Sequence, residues 1–137
     1  MGADLYIKKM NRKNQYRGFE VSQEAVDVGY FRDCYNSGGL FAVLSANLDN
    51  EYSWWKLSAD KKEIWFDKNG DLNEYGQIEL LGMIEKAKSE LQKKKEIFYG
   101  CGENGKADKK EYLGWCDLLI NFLKLAIKKG SPVIWSI

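Results

Sequence analysis

The sequence predicts an α+β fold, predominantly helical, with two or three helices packed on a small sheet that pairs an N-terminal and a C-terminal strand. Three observations predict it. The opening ADLYI (3–7) and the closing SPVIWSI (131–137) are short, apolar runs of strand character. Two segments between them, 76–100 and 108–130, repeat apolar residues at helical spacing. The 137 residues fit one domain, 1–137. A chain of this size buries about two-thirds of its unfolded surface, so its core needs neither disulfide nor metal.

After the first strand, KKMNRKNQYRG (8–18) is polar and basic and reads as a loop or irregular arm. FEVSQEAVDVGY (19–30) supports two readings. Phe19 and Val21 suit a second strand, while Ser22 can cap a brief helix through Ala25 and Val28. SGGLFAVLSANLDN (37–50) spaces Leu40, Phe41, Leu44 and Leu48 as a helix, with Asn36 or Ser37 as the cap and Gly38-Gly39 weakening its first turn. EYSWWKL (51–57) is a further helical turn or a tight aromatic segment. KKEIWF (61–66) reads as extended and DKNGDLN (67–73) as a turn.

GQIELLGMIEKAKSELQKKKEIFYG (76–100) reads as a helix whose apolar face is Ile78, Leu81, Ile84, Leu91 and Phe98. CGENGKA (101–107) is a loop. DKKEYLGWCDLLINFLKLAIKKG (108–130) has Asp108 and Glu111 in capping-box spacing. Its apolar face runs from Tyr112 to Ala126, and Gly130 follows the end as a C′ residue.

Composition narrows the function. Basic and acidic side chains number 21 and 20, a net charge of +1, which argues against a general grip on duplex DNA or an anionic membrane. Histidine is absent, which removes Ser-His and Cys-His nucleophile pairs and the commonest metal ligand. Cys34, Cys101 and Cys116 form no C-x-x-C pair and read as reduced thiols. MGADLYIKK lacks an apolar leader and no run reaches the ~18–20 residues of a membrane span, so a cytoplasmic protein is expected. Five Trp, eight Tyr and six Phe make the aromatic content the outlier; such rings fill cores, stack on bases or anchor interfaces.

Several motifs fail on inspection. DKNGDL places Asp67, Asn69 and Asp71 as an EF-hand would, but Leu72 and Ile78 stand where Gly and a bidentate Glu are needed. A plain turn is expected there, with no metal or cofactor. YGCGENGKA (99–107) lacks the Ser/Thr of a phosphate loop. Cys34 beside Arg32 raises the question of a lowered thiol pKa, against a buried apolar cysteine. GYFRDCYN (29–36) gathers Tyr30, Arg32, Asp33 and Tyr35, which suit either a structural pair among rings or a phosphate contact. In SWW the two indoles diverge, one toward the core and the other toward a ligand or partner.

MGADLYI, GYFRDCYN with its following SWW, and FLKLAIKKGSPVIWSI together resemble a family of small, mostly uncharacterised proteins of bacteriophages and prophages. The resemblance covers the two ends and the middle of the chain. Between residues 8 and 28 the sequence departs from it, where relatives carry a longer charged helical insertion, and Cys34 stands where Ser is more usual. The resemblance implies a phage accessory protein acting in the host cytoplasm and hands over no catalytic residue.

These readings lead to a non-catalytic counter-defence protein that sequesters a small anionic ligand such as a nucleotide immune messenger. Tyr30, Arg32, Asp33, Tyr35, Trp54 and Trp55 would form its site, with Lys8, Arg12 and Arg17 as a phosphate clamp. The pocket would sit within one chain or between subunits of a homo-oligomer. The rival is a protein–protein inhibitor of a host defence complex, anti-CRISPR-like, using the same rings as anchors. A metal-dependent nuclease or phosphodiesterase is a third reading, weakened by the missing histidine.

Overall fold

The computed structural model describes residues 2–10, 21–100 and 105–137. Its class is the expected one, α+β and mostly helical, with the first and last strands paired. Strand β1 (Gly2–Ile7) is the centre of a three-stranded antiparallel sheet. On one side it pairs with β2 (Tyr30–Cys34), setting Asp4 opposite Arg32 and Tyr6 opposite Tyr30. On the other it pairs with β5 (Val133–Ser136), setting Leu5 opposite Trp135. Alternation sends Ala3, Leu5, Ile7, Phe31 and Val133 into the core, all fully buried.

Between β1 and β2 lies α1 (Gln23–Asp27), started by the Ser22 hydroxyl, which accepts from the Ala25 N–H at 3.1 Å. The helical reading of 19–30 therefore holds from Ser22 to Asp27. Residues 30–34, to which the sequence pattern assigns no element, form a strand. Helix α2 (Leu40–Asn47) is not capped by Asn36 or Ser37. Gly39 is its N-cap, and a Cβ there would collide with the Cys34 carbonyl. Asn36 instead accepts from the Gly38 N–H at 2.9 Å in the turn before it.

Next come α3 (Trp54–Asp60), capped by Ser53, and α4 (Lys62–Trp65). The extended reading of 61–66 fails because α4 occupies it. A four-residue helix is too short for its periodicity to show in sequence. The turn at 67–71 forms as expected. Asp67 Oδ1 accepts from the N–H groups of Asn69 and Asp71 at 2.8 and 3.1 Å, and Gly70 takes φ +78°. Leu72 then bridges both Phe66 and Val133, fastening the turn to β5.

Helix α5 (Glu74–Lys93) starts at Asn73, whose side chain accepts from the Gly76 N–H at 2.8 Å. It ends seven residues before Gly100, and its buried face differs from the expected one. Gly76, Gln77, Leu80, Ile84, Ala87 and Leu91 face inward, while Ile78 and Phe98 are exposed. Gly76 explains the rotation: a Cβ there would lie 2.6 Å from a Leu72 methyl and 2.9 Å from the Trp65 Cβ. A two-residue ribbon follows, β3 (Ile97–Phe98) against β4 (Lys106–Ala107). Helix α6 (Lys109–Lys129) packs against α5. It is capped by Asp108 and closed by Gly130 at φ 60°, as its sequence predicts. Tyr112, Cys116, Leu119, Phe122, Leu123 and Ala126 form its core face.

Candidate functional site

The residues singled out by sequence do not converge; the sheet divides them. Strand alternation turns Asp33 toward the helices and Tyr30, Arg32 and Cys34 toward the opposite face.

Asp33 is a buried structural hub. Its carboxylate accepts from the Leu40 N–H at 2.7 Å, the Phe41 N–H at 3.0 Å and the Trp54 indole N–H at 2.7 Å. It thereby supplies the cap that Gly39 cannot, from six residues upstream, and sits at the positive end of α2. Burial pushes this carboxyl above its usual range, while the Trp54, Phe41 and Leu40 donors pull it back. Every one of those bonds needs an acceptor oxygen and none needs a proton. Trp54 lies on Phe41 at 3.8 Å between centroids and 3° between planes, and is 2% exposed. Asp33 and Trp54 are therefore core residues and offer nothing to a ligand.

Tyr30 is also buried, its ring 5.1 Å from Tyr6 and its hydroxyl donating to Asp4 Oδ1 at 2.6 Å. Burial, then this carboxylate, push its phenol far up. Arg32 stands 3.5 Å from the same Asp4 oxygen. Burial opposes its charge, but Tyr30 and Asp4 hold the guanidinium above its ordinary value. Arg32 and Cys34 border a cleft of about 510 Å3 against Trp115 and Leu118 of α6. The activated-thiol reading of Cys34 does not hold: burial, then the charge of Asp33, raise its pKa, and Arg32 is a lesser opposing effect. Lys8 donates to Asp71 at 2.6 Å, 63 residues away in sequence, and so fastens the end of β1 to the 67–71 turn. Arg12 and Arg17 lie outside the described residues, as does most of the Gly-rich 101–107 loop.

Two predicted residues remain on the surface together. Trp55 is 62% exposed, and its ring lies 5.4 Å from that of the half-buried Tyr35. The adjacent indoles diverge as expected, because one residue step along a helix turns a side chain by about 100°. Trp55 stands at an open groove of about 760 Å3 that also takes in Lys62, Phe66, Lys68 and Trp135. Ordered rings lead to it from the core. Trp54 meets Trp135 edge-on at 5.3 Å, and Trp135 meets Phe66 edge-on at 5.1 Å. The Trp135 indole donates to Ser58 Oγ at 2.8 Å, and Ser58 donates to the Trp54 carbonyl at 2.7 Å.

Phe66, Trp135, Lys62 and Lys68 were not singled out by sequence. Trp135 had a usable signal, since it shares a strand face with the buried Val133 two residues earlier. The two lysines had none, being a helical and a turn residue among many charged ones. Glu63 and Asp67 border the same groove and balance them. Among the described residues no cluster of three His, Cys, Asp or Glu could hold a metal ion, and no helix is long and apolar enough to cross a membrane. No protein-family model, curated protein or solved structure matches this chain.

Proposed function

We propose that the protein is a non-catalytic binding protein whose recognition surface is the groove around Trp55. One observation carries this reading: a 62% exposed indole held against the Tyr35 ring beside an aromatic groove. Trp is the residue most enriched among interface hot spots, and a propped ring loses little entropy on binding.

The groove is open and its lysines are matched by Glu63 and Asp67. That balance suits a segment of a partner protein better than a polyanion. The protein–protein inhibitor reading therefore takes first place. In the phage setting that the sequence resemblance implies, the partner is a host defence protein. The nucleotide reading keeps one specific support. Lys62 and Lys68 share the groove with Trp55, so a base stacked on the indole would have cations within the same site. Stacking contributes ~1–3 kcal/mol per base in nucleic-acid binders.

The test runs both readings on the same variants. Calorimetry with linear and cyclic nucleotides is compared with crosslinked pull-downs from host cells, using wild type and Trp55→Ala. A host protein captured by the wild type and lost from Trp55→Ala supports the inhibitor reading. Nucleotide binding lost from Trp55→Ala and Lys62→Ala supports the other. Binding of either kind that Trp55→Ala leaves intact removes the groove from consideration.

A further inference from the structure

Strand β5 is an edge of the three-stranded sheet, and one residue of that edge stands open beside the Trp55 groove. The Lys8 N–H donates to the Pro132 carbonyl at 3.0 Å. Alternation then turns the main-chain groups of Ile134 and Ser136 toward β1 and those of Val133 and Trp135 outward. Val133 uses both of its groups on Leu72, accepting at 2.8 Å and donating at 3.1 Å. Trp135 is the next outward residue, and no described residue bonds its main-chain N–H or carbonyl. An open donor and acceptor on an edge strand are a template for another extended chain.

The space in front of Trp135 suits a single strand. The 67–71 turn leaves the edge at Leu72, and the groove of about 760 Å3 opens between its Asp67, Lys68 and Gly70 and the Trp135 side chain. Trp135 is already held in place. Its indole donates to Ser58, and its ring stands edge-on to Trp54 and Phe66, so the floor of the groove is formed before anything binds. Lys62 and Lys68 stand against Glu63 and Asp67. That balance matches a segment with apolar side chains and no excess of either charge. A second copy offering the same edge would bring its own Leu72 bridge and 67–71 turn into this gap, and a lone extended segment brings neither.

We infer that the Trp55 groove takes an extended segment of a partner protein as a fourth strand on β5. The segment exchanges hydrogen bonds with the main chain of Trp135 and sets alternate apolar side chains against Trp55, Phe66 and Trp135. This rests on the groove reading proposed above and names the form in which the partner enters it.

The probe is a displayed library of random peptides about twelve residues long, more than one strand's length, selected on the full chain. Peptides with apolar residues at alternate positions are expected, and Trp55→Ala should weaken them tenfold or more. In hydrogen exchange the Trp135 amide should be fast in the free chain and at least tenfold slower in the complex. N-methylation of the one peptide amide that donates to Trp135 should weaken binding tenfold or more, whereas methylation of its neighbour, which points away, should not. Peptides that need Trp55 but leave the Trp135 amide fast and tolerate every N-methylation overturn strand addition and leave the groove reading standing. Peptides that Trp55→Ala leaves intact overturn both. A library that yields no binder overturns strand addition, as does a Trp135 amide that slows with rising concentration of the chain alone, which would give the edge to a second copy.

Discussion

Trp54 is 2% exposed and Trp55 is 62% exposed, although one peptide bond joins them. Trp54 lies flat on Phe41 and donates to Asp33; Trp55 leans on Tyr35 beside an open groove. Ser53 decides this by starting α3, accepting from the Lys56 N–H at 3.3 Å, so that the helix fixes the direction of both indoles. The pair teaches that aromatic content and function separate at the level of single residues. The same ring type serves as a hydrogen-bonded core element at one position and as a candidate anchor at the next. The Tyr30–Tyr35 segment divides in the same way, with Asp33 inside, Tyr30 and Arg32 across the sheet, and Tyr35 beside Trp55.

The largest effects should come from breaking the buried half of this contrast. Asp33→Ala strands three donors, the N–H groups of Leu40 and Phe41 and the Trp54 indole. At ~1–3 kcal/mol per stranded group, and with incomplete additivity, the loss should reach about 4 kcal/mol. Urea denaturation followed by circular dichroism measures it. A loss below about 1 kcal/mol would mean that Asp33 is not the cap of α2. Trp54→Ala should cost about 3–5 kcal/mol, the range for removing a buried aromatic side chain.

Cysteines offer the same comparison through pH. Burial, then the neighbouring Asp117 charge, push the Cys116 thiol from its ordinary 9.0 up to about 12. Above pH 9 the unfolded chain releases this proton and the folded chain keeps it. The unfolded state then binds fewer protons, so stability falls as pH rises toward 12 and is unaffected below 9. The slope should be about 1 kcal/mol per pH unit, and Cys116→Ala should flatten it. Tyr52, raised mainly by burial to about 12 from 10.0, adds to the decline above pH 10. An alkaline denaturation series that the variant does not flatten would show that Cys116 ionises freely.

Periodicity explains why β1, β5 and α6 were legible in the sequence. Each repeats apolar residues at the spacing of its own structure, and Asp108 and Gly130 mark the ends of α6. β2 was hidden because its inward positions are Phe31 and Asp33, so alternation is broken by a charge. That charge is there for α2, which is capped from a distance rather than by its own flanking Asn36 or Ser37. Local rules cannot see a cap delivered from another element. The face of α5 was misplaced for a related reason. Gly76 and Gln77 look like surface residues by type, yet Gly76 admits Trp65 and Leu72, and Gln77 donates to the Leu72 and Ser131 carbonyls at 3.0 and 2.8 Å. The site was half legible: Tyr35 and Trp55 were named, but Phe66 and Trp135 reach them only through the tertiary contacts of the 66–72 turn with β5.

Tyr30→Phe probes the boundary between the two regions. It removes a hydroxyl that donates to Asp4 at 2.6 Å while keeping the ring stacked on Tyr6. A cost of about 1 kcal/mol is expected from thermal or urea melts, typical of one hydrogen bond. Unchanged ligand or partner affinity should accompany it. A variant that keeps its stability but loses binding would move the site to the Asp4–Arg32 face.

Trp55→Ala should have the smallest effect on folding and the largest on recognition. The fold loses one tilted ring contact with Tyr35, worth about 0.5–1.5 kcal/mol, and no buried hydrogen bond. Its melting curve should therefore stay close to that of the wild type, whereas Trp54→Ala shifts strongly. Binding should respond in the opposite order. Loss of an anchoring indole from an interface costs about 2 kcal/mol or more, roughly a thirtyfold drop in affinity. Trp55→Phe refines the reading, because it retains a ring for stacking but gives up the indole's area and its N–H donor. If Trp55→Phe binds like the wild type, a flat ring is what the groove supplies, as a stacked base requires. If it binds like Trp55→Ala, the partner uses the full indole, as a protein pocket closed around it would. Equal losses of stability from Trp54→Ala and Trp55→Ala would erase the contrast and make both tryptophans structural.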